Sequence, residues 1–77
     1  MYVQSWCPYC QMAQRLLREK GQDWTEIDVG AQPVRRREMI ERSGRRSVPQ
    51  IWIGERHVGG FDELRALEAV GELDALL

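Results

Sequence analysis

Long apolar runs are missing from this chain. Its mean hydropathy is −0.50, and no stretch approaches the roughly 20 apolar residues that a membrane-spanning helix needs. No membrane role is expected. Histidine occurs once, at position 57, and cysteine twice, at positions 7 and 10. A zinc site built from Cys7, Cys10 and His57 would lack a fourth protein ligand and would silence the thiols, so no metal is expected. His57 itself reads as an exposed side chain on a short strand. An excess of one charge is also missing, since the formal net charge is −1. A nucleic-acid binder would carry a net basic surface with interleaved aromatics. The basic residues instead crowd the middle of the chain, as Arg35, Arg36, Arg37, Arg42, Arg45 and Arg46, while the segment from Asp62 onward is mainly acidic. That run reads as a solvated helix face beside a loop, with an anion-binding role open to one or two of its members. No leader of positive charge, apolar stretch and small-residue cleavage site opens the chain, so a cytoplasmic location is expected.

What is present fits one domain, 1–77. With 77 residues and 43% hydrophobic residues, the core must be small and well packed. Met1–Gln4 is Tyr-Val rich and reads as a short strand. Pro8 suits a first helical turn, and Met12, Ala13, Leu16 and Leu17 recur at helical spacing up to a stop at Gly21. Residues 24–29 alternate and read as a second strand. Pro33 opens a second helix that runs to about Ser43 and ends at Gly44. Gln50–Ile53 and Arg56–Val58 read as a hairpin turning at Gly54-Glu55. Phe61 opens a third helix, and residues 72–77 have the pattern of one more helical turn. The order β-α-β-α-β-β-α predicts a thioredoxin-like α/β fold, a four-stranded mixed sheet flanked by helices.

Cys7-Pro8-Tyr9-Cys10 lies where the first strand should turn into the first helix. Two thiols at this spacing sit within one helical turn, close enough to form a small disulfide ring and to reopen it, and in a reducing compartment such a pair points to redox chemistry. The attacking species is the thiolate. Cys7 at the helix start is favoured by free N–H groups and the positive dipole end, whereas Cys10 lies one turn inside with weaker help and less exposure. Cys7 is therefore assigned as the nucleophile and Cys10 as the residue that attacks it to release a bound partner.

Two further motifs follow: Ser47-Val48-Pro49-Gln50-Ile51 and Gly59-Gly60-Phe61-Asp62-Glu63-Leu64. A trans Pro49 starting a strand and a plain helix cap at Gly60 are the simpler readings of each alone. All three motifs together, in this order, resemble the glutaredoxins, and the length is similar to that of the small bacterial dithiol type. The resemblance implies a glutathione-dependent thiol–disulfide oxidoreductase that reduces protein disulfides and protein–glutathione mixed disulfides. Glutathione is then a co-substrate, with no resident cofactor. By position it implies that Tyr9 lines a glutathione groove, that the Val48 backbone pairs with the cysteinyl part, that Pro49 is a cis-proline facing the dithiol, and that Gly60, Phe61 and Asp62 hold the γ-glutamyl end. Gln4 stands where the family usually has lysine, which leaves Arg36, or failing that Arg37, as the cation for the glycyl carboxylate. A monomer acting on glutathione and on disulfide-containing or glutathionylated proteins is expected. Two alternatives stay open: a redoxin reduced by thioredoxin reductase, towards which Gln4 points, and an iron–sulfur cluster module with glutathione as co-ligand, against which Pro8 stiffens the loop.

Overall fold

The computed structural model describes residues 1–77. Its elements run β1 (Tyr2–Val3), α1 (Pro8–Glu19), β2 (Ile27–Asp28), α2 (Pro33–Ser43), β3 (Ile51–Ile53), β4 (Arg56–Gly59), α3 (Phe61–Ala69) and α4 (Leu73–Leu76). The expected order holds, with the last helical turn realised as α4. The expected single four-stranded sheet needs correction. β1 pairs with β2 in parallel and β3 with β4 antiparallel, as two separate two-stranded sheets. An isolated antiparallel bridge between Tyr2 and Gln50 joins them, through Tyr2 N–H to Gln50 C=O at 2.9 Å and Gln50 N–H to Tyr2 C=O at 3.1 Å.

The strands are shorter than residue alternation suggests because each needs a partner. β1 offers only Tyr2 and Val3, so β2 is confined to their partners Ile27 and Asp28. Trp24 and Glu26, which carry the same alternation, make side-chain bonds instead: Glu26 Oε1 accepts from Trp24 Nε1 at 3.1 Å and from the Gln14 amide at 2.6 Å. Pro33 starts α2 and Gly44, at φ 71°, ends it in the left-handed conformation, which glycine enters without a Cβ penalty.

Side chains on the strands alternate between two cores. Ile51 joins Ala13, Leu17, Leu64 and Leu73 under α1, α3 and α4. On the other side Tyr2, Val29 and Met39 pack with Ile27, Ile40 and Trp52 against α2. Removing a side chain such as Leu64 or Met39 from water contributes roughly 2 kcal/mol each, and this seats α3 and α2, which carry them, against the strands.

The buried polar centre between the two hairpin strands was illegible in sequence. Gln50 is fully buried, its amide nitrogen donating to Ser47 C=O at 3.0 Å and its Oε1 facing His57 Nε2 at 2.8 Å. Since Gln50 Oε1 only accepts, His57 donates through Nε2. The expectation of an exposed His57 is thus corrected: it is half-buried and stacks on Trp52 with ring centroids 4.4 Å apart. Burial, then the positive charge of Arg45, lowers its pKa below the ordinary 6.5. The Arg42 guanidinium also lies 4.4 Å from the Trp52 ring and donates to Tyr2 OH at 2.8 Å.

Candidate active site

Cys7 is the N-cap of α1, with extended backbone (φ −108°, ψ 102°) and proline next to it. That conformation turns its sulfur over the end of the helix, where Cys7 Sγ accepts from the Cys10 N–H at 3.1 Å. The first N–H groups of a helix lack intrahelical partners, so a sulfur here meets oriented donors and the positive end of the dipole. Cys7 and Cys10 are joined as a disulfide, with Cα atoms 5.2 Å apart. Cys7 is half-buried, whereas Cys10 is 2% exposed. A substrate disulfide approaching from solvent therefore meets Cys7, and Cys10 is reached only through Cys7.

Val48-Pro49 is a cis peptide bond. The Val48 carbonyl oxygen lies 3.8 Å from Cys7 Sγ, so the loop entering β3 adjoins the sulfur although 41 residues separate the two in sequence. Neither the N–H nor the C=O of Val48 bonds to another backbone group. An extended peptide could pair with that free edge by a short β-augmentation.

Beside this edge a groove of about 260 Å³ is lined by Tyr9, Ser47, Val48 and Pro49 on one side and by Gly60, Phe61, Asp62, Glu63 and Arg45 on the other. Three segments far apart in sequence meet there. Tyr9 stands 57% exposed with its ring 6.4 Å from that of Phe61. Gly60 is the N-cap of α3, with Asp62 and Glu63 in the first turn. The N–H groups of Phe61 and Asp62 have no backbone partner, and both residues line the groove; free amides at a helix start are able to receive a carboxylate. A second concavity of about 360 Å³, between Trp24, Trp52 and Leu77, shares no residue with this groove and contains no thiol.

Arg36, the cation expected here, is not among the groove residues; its guanidinium donates to Arg46 C=O at 3.3 Å. Arg37 is absent from the groove as well. The arginine that lines it is Arg45, which nothing local in the sequence sets apart from the rest of the basic run. Arg45 pairs with Glu63, and Glu63 reaches back to accept from Gly60 N–H at 3.3 Å. Gln4 lies elsewhere, bordering a separate depression with Trp6, Asp28 and Gly30.

The Arg45 guanidinium holds the Glu63 carboxyl below its ordinary value of 4.5, aided by the Gly60 N–H against a smaller opposing effect of burial. A lowered carboxyl pKa means the unfolded chain takes up protons first on acidification. The stabilisation is complete above 4.5 and disappears as pH falls through the folded value. Urea unfolding followed from pH 7 to pH 3 should therefore lose a component that the Glu63→Gln variant lacks throughout. Equal pH profiles for the two proteins would contradict the role of this pair.

Gly59 makes the clamp possible. Its φ is +116°, and a Cβ there would fall 3.2 Å from the Arg45 guanidinium and closer still to the Glu63 carboxylate. Gly59→Ala meets both a disfavoured backbone and an occupied site, with an expected loss of about 1–3 kcal/mol. A denaturation midpoint equal to the parent's would count against this account of the Gly59-Gly60 turn.

A dithiol at the first strand-to-helix junction of a thioredoxin-like fold, with one half-buried and one buried cysteine beside a cis-proline, defines a thiol–disulfide oxidoreductase. The comparisons agree. A glutaredoxin family model matches residues 1–58. A glutaredoxin from Pseudomonas aeruginosa is 53% identical over 77 residues, covering 100% of this chain and 92% of the relative. The solution structure of a glutaredoxin from Brucella melitensis is 55% identical, with a TM-score of 0.87 over 99% of this chain and 83% of that one. A buckwheat glutaredoxin, solved as a complex with glutathione, shares the fold at 24% identity, with a TM-score of 0.91 over 99% of this chain and 72% of its own. The chain belongs to the glutaredoxin family.

Proposed function

We propose that this protein uses glutathione to reduce protein–glutathione mixed disulfides and protein disulfides, acting as a monomer in the cytoplasm. The observation that carries this reading is the free backbone of Val48 beside the Cys7 sulfur, at 3.8 Å, in a groove whose far wall is the N-terminus of α3. A tripeptide thiol fits these features in order. Its cysteinyl backbone pairs with Val48, which brings its sulfur to Cys7. Its γ-glutamyl carboxylate meets the N–H groups of Phe61 and Asp62, its ammonium meets the Asp62 carboxylate, and Tyr9 and Phe61 flank it. The glycyl carboxylate calls for a cation; Arg36, at the edge of the Arg46 segment, and Arg45, in the groove wall, are the two candidates.

In the one-thiol route the Cys7 thiolate attacks the glutathione sulfur of a protein–glutathione mixed disulfide. A Cys7–glutathione disulfide forms and the protein sulfur departs as thiolate. A second glutathione thiolate then attacks that disulfide, giving glutathione disulfide and reduced Cys7. In the two-thiol route Cys7 attacks a protein disulfide, Cys10 displaces the protein from Cys7, and two glutathione molecules reduce the resulting Cys7–Cys10 bond. The assay is NADPH oxidation coupled through glutathione reductase, with a glutathionylated protein as substrate. Turnover that depends on glutathione is expected. Reduction driven only by thioredoxin reductase would overturn the reading.

A further inference from the structure

We propose that Trp6 is a specificity-determining residue that receives the polypeptide part of protein substrates, beside Cys7 but outside the groove assigned to glutathione. The inference rests on that assignment of the groove. Trp6 is 94% exposed, whereas Trp24 and Trp52 are half-buried against the two cores. It is the sole non-glycine residue with positive φ, at 60°, a conformation that costs a bulky L-residue on the order of 1 kcal/mol or more.

No contact of the indole in the free protein offsets this cost. The indole stacks on no other ring, and the only tryptophan N–H that donates a side-chain hydrogen bond is that of Trp24. The left-handed turn thus holds a large apolar ring out in water, one residue before the nucleophile. Its Cα lies about 3.8 Å from that of Cys7 across a trans peptide. It borders a depression of about 390 Å³ with Gln4, Ser5, Asp28, Gly30 and Ala31, none of which lines the glutathione groove.

The occupant follows from the chemistry of transfer. When Cys7 attacks a glutathionylated protein, glutathione takes the groove, and the departing polypeptide, bonded to the glutathione sulfur until the transition state, must lie over the remaining flanks of Cys7. In the two-thiol route the polypeptide is itself bonded to Cys7 Sγ. Either way, residues next to the substrate cysteine come within reach of an exposed indole, and apolar neighbours gain most because both partners leave water together.

The test compares two substrates with the same glutathione moiety, a glutathionylated protein and the mixed disulfide of glutathione with 2-mercaptoethanol. Trp6→Ser should lower kcat/KM on the protein by about fivefold to tenfold, the scale of an exposed contact rather than of a fully desolvated hot spot, and leave the small substrate within about twofold. Trp6→Phe should restore most of the loss. Glutathionylated peptides with Leu or Phe beside the cysteine should outrun Gly-flanked ones for the parent and lose that advantage in Trp6→Ser. An equal fall on both substrates would make Trp6 structural or a glutathione contact, and no fall on either would remove its role; both outcomes overturn the proposal. A parent inactive on both substrates would instead defeat the glutathione reading, and the proposal with it.

Discussion

Replacing Cys7 by serine should abolish turnover on every disulfide substrate, while Cys10→Ser should keep deglutathionylation and lose the reduction of protein disulfides. The asymmetry comes from position. Cys7 is the half-buried N-cap of α1 and Cys10 lies within the first turn at 2% exposure. A serine at position 7 has no thiolate to offer, and the buried Cys10 sulfur cannot approach a protein disulfide in line. The loss should exceed a thousandfold, because the covalent step has no substitute nucleophile. With Cys10→Ser the route from the Cys7–glutathione disulfide to a second glutathione is intact, so glutathionylated substrates are still reduced. A protein left bonded to Cys7 loses its internal rescuer and should accumulate as a mixed disulfide, which mass spectrometry detects as an adduct. Equal damage from the two substitutions would contradict the assigned roles, as would a Cys7→Ser protein with measurable turnover.

The second large effect is expected at Asp62. This residue stands in the first turn of α3 and lines the groove while remaining exposed, so its carboxylate is free to accept from an ammonium group. Charge-assisted hydrogen bonds contribute about 1.5–3 kcal/mol. Asp62→Ala should therefore raise the KM for glutathione by roughly ten- to a hundredfold. Asp62→Asn, which keeps an acceptor but not the charge, should fall between. Titration calorimetry of reduced glutathione, with the coupled assay alongside, separates binding from chemistry. An unchanged KM would mean that the γ-glutamyl end lies elsewhere.

Much of this site is legible in the sequence because its parts are local. Cys7-Pro8-Tyr9-Cys10 declares both the chemistry and the helix start that supports it. Val48-Pro49 and Gly59-Gly60-Phe61-Asp62 each carry a backbone requirement that few residue types meet. The cation was less legible. Six arginines share the middle of the chain, and helical spacing alone does not tell which one turns towards a groove whose other wall is α3. Arg45 is oriented by Glu63, 18 residues away, and no local pattern encodes that pairing. The same limit explains His57, whose burial depends on Gln50 and Trp52 across the hairpin, and β2, whose length is set by the two residues that β1 offers it. Trp6 stands at the opposite extreme. Its chemistry is plain in the sequence, but its exposure follows from a backbone turn that no residue type there would announce.

Turnover depends on Cys7 being an acidic thiol, because a groove for glutathione beside an unreactive sulfur would bind without reaction. Thiolate absorbance near 240 nm, followed across pH in the reduced Cys10→Ser protein, reads that property directly. The Cys7 titration should fall clearly below the free-thiol value of about 8.5, each unit of lowering corresponding to about 1.4 kcal/mol in favour of the thiolate. A midpoint at 8.5 or above would contradict the claim that the mouth of α1 activates the nucleophile.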